Sequence, residues 1–313
     1  MSQLRRTVSR RGIGNSRWWL FLIPALVFYV GFMAFPLLNS IRVSFYTGPG
    51  LTPDDFAGLD NYRALFLSGR TRDAFMNALG NTVVFFAIHM LVQNTLALLF
   101  AELLSYRFRG RNLFRAVVFL PATMSVIVVG FLWTLLLNPR WGTINKGLDA
   151  IGLDFISRPW LGDTTFALPA IAIASSWQYV GLATIIFLAG LLNIPDEVIE
   201  AAAIDGATRW RTFWLVKLPL LRPVIGVVAI LTFVGNFTAF DIIFGMASSR
   251  GEPAYSTDLL GTLFYRTGIS GEPPTGQPNA GLGAAIATVT FLILAAGASI
   301  WLYMSRADRK ART

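Results

Sequence analysis

An all-α membrane protein with six transmembrane helices is the fold class this sequence predicts, and three observations predict it. Of its 313 residues 54% are hydrophobic and only 14% charged, far more apolar than a soluble domain. The apolar residues gather into six runs, near 18–41, 78–104, 113–137, 166–192, 224–247 and 281–304. At ~1.5 Å per residue each can cross a ~30 Å hydrocarbon core. The bases then divide unevenly between the intervening segments. If both termini are cytoplasmic, the inner segments 1–17, 107–115, 209–222 and 306–312 hold 17 of the 26 bases, although they are the shorter set. That asymmetry is the positive-inside pattern, and it accounts for the net charge of +9 without a nucleic-acid partner.

Taken in order, residues 1–17 form a basic tail carrying Arg5, Arg6, Arg10, Arg11 and Arg17. The first run is too long for the apolar core of a cleaved signal peptide, so it reads as an uncleaved span, kinked by Pro24 and Pro36. The outer segment 44–76 contains Gly58-Leu59-Asp60-Asn61-Tyr62, which fits a short interfacial helix with Tyr62 and Phe66 at the headgroups. Residues 248–280 are rich in Gly and Pro and read as an irregular surface loop. A second basic tail, 305–313, closes the chain. There is no cysteine, hence no disulfide and no thiol chemistry.

Between the fourth and fifth runs lies a stretch, 196–223, with four acids and four bases. Pro195, Asp196 and Glu197 open a helix whose dipole favours acids in its first turn. Val198, Ala201, Ala202 and Asp205 share one face, small enough for close docking. Gly206 permits a bend, and Trp210, Phe213, Trp214 and Leu220 mark a second amphipathic helix that Pro219 and Pro223 end. Periodicity alone also fits an interfacial helical hairpin that merely joins two spans.

The residues of this stretch carry more. Glu200, Ala201 and Ala202, three residues, Gly206, nine residues, then Val216, Lys217, Leu218 and Pro219 resemble the EAA loop of binding-protein-dependent ABC importer permeases. Val216 in place of Ile is the one departure. Gly58 to Tyr62 resembles the GLxNY segment of the sugar permeases of that group, and 113–139 is similar to the third span of the maltose and glycerol-phosphate type. Gly283-Ala284-Ala285 resembles the start of their last span; Gly251-Glu252-Pro253 stands where they have Gly-Gly-Pro. The resemblance implies a type I ABC importer permease fold. It makes 193–222 the coupling loop, with Glu200, Ala201, Ala202, Asp205, Gly206 and Pro219 docking in a separate ATPase that holds ATP and Mg. The implied partners are a second homologous six-span chain, two ATPase copies and an extracytoplasmic solute-binding protein. The implied cargo is a saccharide or polyol, and the implied location a bacterial or archaeal cytoplasmic membrane.

Polar groups inside spans are costly and tend to face a bundle or a pathway. In the fourth run Ser175, Gln178, Tyr179 and Leu182 form one stripe; in the fifth, Thr232 and Asn236 share a face with Phe240. Neutral amides and hydroxyls beside aromatics suit sugar hydroxyls and ring faces. The family's substrate-lining positions map onto Ser175, Gln178, Tyr179, Leu182 and Asn236, with Ala239 replacing a second amide. The same residues also suit the polar contacts that hold membrane helices together. Asp241 is the one acid deep in the fifth run, and Glu102 sits near the inner end of the second. An intramembrane acid suggests a proton or cation site. Asp241, however, lies within one or two turns of the outer surface and reads better as a solvated or helix-capping acid. The lone His89 reads as helix packing with Gln93 and not as a metal ligand. No nucleophile–base pair, Walker-type glycine loop or nucleic-acid module is present. The sequence therefore points to a permease subunit with no cofactor of its own, the alternatives being an ABC permease for another solute or an ion-coupled secondary transporter.

Overall fold

The computed structural model describes residues 18–310, with side chains from 21 to 305. The basic tail 1–17 lies outside the described residues, as do the basic side chains 306–312. Sixteen helices follow one another among the described residues. The first run forms α1 (Trp18–Tyr29), a π-helical turn Val30–Ala34 and α2 (Phe35–Val43). A two-stranded antiparallel ribbon, β1 (Tyr46–Thr47) with β2 (Asp55–Phe56), leads to α3 (Asp60–Leu67). Asn61, which begins α3's first turn, is buried and donates from Nδ2 to the Ser44 and Tyr46 carbonyls at 2.9 and 2.8 Å. Tyr62 shares a 2.6 Å hydrogen bond with the Ser44 hydroxyl. These two residues of the Gly58–Tyr62 segment therefore fasten the end of the first helix.

The second run is continuous through α4 (Gly69–Ile88), a π turn His89–Gln93 and α5 (Asn94–Ser105). The third is not one straight helix. α6 (Arg111–Phe119) and a 3-10 turn (Leu120–Thr123) meet α7 (Val126–Leu136) at 101°. Pro121 cannot supply an amide hydrogen, and Met124 and Ser125 take extended backbone, so the ladder stops there. Short α8 (Thr143–Ala150) precedes α9 (Ala167–Leu192). Sixteen of the 26 residues of α9 are buried, as in a helix enclosed on all sides.

The 196–223 stretch forms α10 (Asp196–Ile204), α11 (Arg209–Thr212), a π turn Phe213–Lys217 and α12 (Leu218–Leu220). It meets α13 (Arg222–Phe237) at a 68° bend. At 16 residues α13 is only ~24 Å long. The fifth run resumes after three residues as α14 (Asp241–Ala247). The expected surface loop 248–280 instead contains α15 (Leu260–Tyr265), a π turn Arg266–Ser270 and a buried interior. Leu259, Leu260 and Leu263 join the core, and buried Asp258 pairs with Arg266 at 2.6 Å. Composition misled there because Gly and Pro crowd the ends of the segment while its middle is amphipathic. α16 (Ala280–Lys310) is the last run.

Among the described residues four unbroken stretches are long and apolar enough to cross a membrane: Phe21–Val43, Gly69–Ser105, Ala167–Leu192 and Ala280–Ser305. The total is six if each bent pair counts as one span. Three apolar clusters hold the bundle. Val129, Ile171 and Ile243 join α7, α9 and α14; Ala97, Phe187 and Val228 join α5, α9 and α13. Phe75, Leu263 and Ile286 join α4, α15 and α16. α9 is common to the first two, so whatever α9 carries on its face is held from both sides. At Gly181 any larger side chain would run into the Val118 carbonyl and the Phe119 Cα, which is why α6 can lie against α9.

Candidate functional site

Two features stand out, a cavity within the bundle and an exposed loop at one end of it. The cavity is about 570 Å³ and lies among α4, the π turn His89–Gln93, the start of α7, α9, α13 and the start of α14. That volume is in the ordinary range of small-molecule sites. Ser175, Tyr179 and Leu182 reach it from α9, and Asn236 from α13, so four of the five expected pathway residues line it. Gln178 does not. It faces the break in the third run, where its Nε2 donates to the Met124 carbonyl at 3.0 Å. The kink left that carbonyl without its helical partner, and Gln178 supplies one.

His89 and Gln93 also line the cavity, together with Thr232, Phe85, Phe240 and Asp241. The π turn at 89–93 places both residues toward this space. His89 Nδ1 lies 2.9 Å from the Phe85 carbonyl, so a neutral ring carries its proton there and Nε2 accepts from the Ser175 hydroxyl at 3.0 Å. Asn94 Nδ2 donates to Thr232 Oγ1 at 3.1 Å, and Asn236 Nδ2 to the Thr232 carbonyl at 2.6 Å. Two acceptors are left over: Gln93 Oε1 and Asn236 Oδ1 are buried without a partner. Among the lining residues Asp241 carries the one formal charge; it is the exposed first residue of α14, where the helix dipole favours it, and its side chain makes no capping hydrogen bond. His89 and Gln93 were read as packing, although two polar residues four apart inside an apolar run were the available signal.

The exposed loop has a local logic that explains its residue spacing. Pro195 precedes α10, and Asp196 and Glu197 occupy its positive end. Glu200, Ala201 and Ala202 lie on its length, and Asp205 caps its C-terminus. Gly206 then adopts φ +78°, donating to the Ala203 carbonyl at 3.1 Å while Ala207 donates to Ala202 at 2.9 Å. This pair of bonds is the Schellman motif, and it calls for Gly at the residue after the cap. The fixed distance from Glu200 to Gly206 is thus the length of a helix plus its stop. No residue of α10 is buried, and Ile204 is 86% and Trp210 68% exposed. Both are apolar side chains left uncovered at this end of the bundle.

The second half of the loop is anchored. Thr212, Phe213 and Lys217 are buried, and Pro219 follows the π turn, whose wider ring makes room for a residue that cannot close an α turn. Lys217 pairs with Glu102 of α5 at 2.7 Å, so Glu102 is a paired acid and not an isolated one.

Comparison with known proteins agrees with this architecture. Residues 93–311 match the family model described as binding-protein-dependent transport system inner membrane component. The chain is 36% identical to the multiple sugar-binding transport system permease protein MsmF of Streptococcus mutans, covering 91% of this chain and 93% of that one. It is 33% identical to the lactose transport system permease protein LacF of Rhizobium radiobacter, over 93% of this chain and 94% of the other. It is 31% identical to the trehalose/maltose transport system permease protein MalF of Thermococcus litoralis, again over 93% and 94%. A chain in the crystal structure of a bacterial ABC transporter involved in the import of the acidic polysaccharide alginate superposes with a TM-score of 0.77. That pair shares 23% identity over 93% of this chain and 96% of that one, a likeness of fold. The protein therefore belongs to the binding-protein-dependent transport system inner membrane components, as the permease subunit of an ABC transporter.

Proposed function

We propose that this chain is one of two homologous six-span permease subunits of an importer that carries a saccharide or related polyol inward across the cytoplasmic membrane. The observation that carries the cargo is the cavity wall. It sets the Tyr179 and Phe240 rings beside neutral amides and hydroxyls, contains no Lys or Arg, and leaves the Gln93 and Asn236 acceptors unpartnered. A sugar supplies hydroxyl donors for such acceptors and apolar ring faces for the aromatics. The names of the relatives, which transport several sugars, support the same class.

An extracytoplasmic solute-binding protein delivers the cargo to this wall. Both termini are cytoplasmic, and α10 with Gly206 docks in one of two ATPase copies, where ATP and Mg are bound. Closure of the ATPase dimer displaces the loop, and the helices around the cavity reorient from outward to inward. Binding of ATP and of sugar bias the same equilibrium only through their different affinities for its states. The test is to tag this chain, extract its membranes gently, identify what co-purifies, and measure uptake by the reconstituted assembly. An ATPase and a second six-span chain, with uptake of a radiolabelled oligosaccharide that requires ATP, is the expected result. Uptake that persists without any ATPase and collapses with an ion gradient would overturn it.

A further inference from the structure

We propose that Glu102 and Lys217 form the strap through which the exposed loop repositions the cavity wall. The inference rests on the coupling role proposed for that loop. The loop is joined by the chain to α9 at one end and to α13 at the other; the ion pair adds a third attachment, to α5.

Lys217 Nζ donates to Glu102 Oε1 at 2.7 Å, with the two side chains only 7% and 13% exposed. The Tyr106 hydroxyl donates to the same oxygen at 2.5 Å. Burial first, and then the bond to Glu102, push the Tyr106 hydroxyl above its ordinary range, which keeps it a donor. The Tyr106 ring in turn lies under the Lys217 ammonium at 4.9 Å and the Arg209 guanidinium at 5.4 Å. Glu102 Oε2 is buried without a partner, so the hold on the carboxylate passes through Oε1 and is made or lost as a unit.

A buried pair of this kind adds little net stability, because desolvation offsets its attraction and apolar replacements often fold as well. What it adds is direction. An apolar contact can slide as the loop moves, whereas the Lys217 ammonium, bonded to a carboxylate oxygen that Tyr106 at the end of α5 also holds in place, fixes the loop to one turn of α5. Eight residues back along that helix, about 12 Å, stands Asn94, which bonds Thr232 of α13. Beside it the π turn presents Gln93 to the cavity and His89 to Ser175 of α9. A displacement at Lys217 thus reaches, along one rigid helix, the residues that hold both cavity walls together.

The experiment uses the full complex in proteoliposomes, scoring ATP hydrolysed per oligosaccharide transported for Glu102→Gln, Lys217→Gln, and the reversal Glu102→Lys with Lys217→Glu. The singles are expected to assemble and hydrolyse ATP but to raise that ratio about tenfold, and the reversal to bring it back to within about threefold of wild type. A ratio unchanged in the singles, or hydrolysis and transport falling in parallel, or a reversal as poor as the singles, overturns the strap. If the singles fail to assemble, Tyr106→Phe decides. It keeps the ring and removes the hydroxyl, with its bond to Glu102 and its 3.4 Å contact from Lys217 Nζ, and a ratio rise of about twofold supports the strap while none overturns it. Glu200→Ala, assayed alongside, separates the two ideas. If it transports at the wild-type rate, the coupling reading of the loop fails; if it loses transport while the Glu102 variants keep a normal ratio, only the strap fails.

Discussion

The cavity and the exposed loop are built by opposite means. The loop's first half is a single helix and its stop, contiguous in sequence, with no buried residue in α10. Every feature of it follows from neighbours within six positions: the acids at the dipole, the small face, the cap, the left-handed Gly206. The cavity has no such local grammar. It draws His89, Ser175 with Tyr179, Asn236 and Asp241 from four separate elements, and a bend, a π turn and partners on other helices help to place them. The exposed loop is encoded locally and left uncovered; the cavity wall is encoded by packing.

The sharpest way to break that comparison is at Gly206. Proline there cannot take φ +78° and removes the amide that bonds Ala203, so the helix stop is lost. Because no residue of α10 is buried, the bundle should be indifferent to it. Gly206→Pro is expected to lower ATP-dependent uptake by at least about a hundredfold while the amount in the membrane stays within about twofold, read by immunoblot beside transport. Loss of the protein from the membrane would mean that the loop is part of the fold and not an appendage.

A second pair of changes sharpens the cavity side. Asn236→Ala removes an acceptor facing the cavity, and Gln178→Leu removes the donor to Met124 at the kink. The first is expected to weaken cargo binding by about 1–2 kcal/mol with little change in thermal unfolding. The second should lower the unfolding midpoint of the solubilised complex, since a buried carbonyl left unsatisfied costs about 1–3 kcal/mol. Binding by equilibrium dialysis and unfolding by scanning fluorimetry, on both variants, separate the two roles. If Gln178→Leu alters binding alone, its place in the stripe with Ser175 and Tyr179 outweighs its bond to the kink.

How far the sequence reached follows from the same division. Hydropathy located the apolar runs, and i, i+3, i+4 spacing located both helices of the loop, because these signals are local. The α9 stripe, read as one face, splits. Ser175, Tyr179 and Leu182 look into the cavity while Gln178 looks at a bend that only Pro121 hinted at. His89 and Gln93 gave a polar pair, but nothing in the chain announces that a π turn aims it inward. Glu102 and Lys217 stand 115 residues apart, and no periodicity connects them. The burial of Asp258 and Arg266 was hidden by the Gly and Pro at the borders of their segment.

That last pair yields the smallest expected effect and a test on neither the cavity nor the loop. Burial pushes the Asp258 carboxyl up to about 6 from its ordinary 3.8, although Arg266 and Thr262 both act to hold it down. Arg266 also donates to the Pro273 carbonyl, so the pair closes the 258–274 segment on itself. Since the folded state holds this proton more tightly than the unfolded chain, it binds more protons between about pH 4 and pH 6. Stability contributed by this group is then greatest below about pH 4, falls as pH rises through that window, and is flat above it. This is opposite in sign to a carboxylate stabilised mainly by its ion pair. Asp258→Asn removes the titration, so the difference in unfolding midpoint between wild type and variant should change from pH 4 to pH 6 and not from pH 7 to pH 8. A wild-type midpoint that rises across pH 4 to 6, with the slope lost in Asp258→Asn, would show that Arg266 outweighs burial and that the outer segment is clamped by charge.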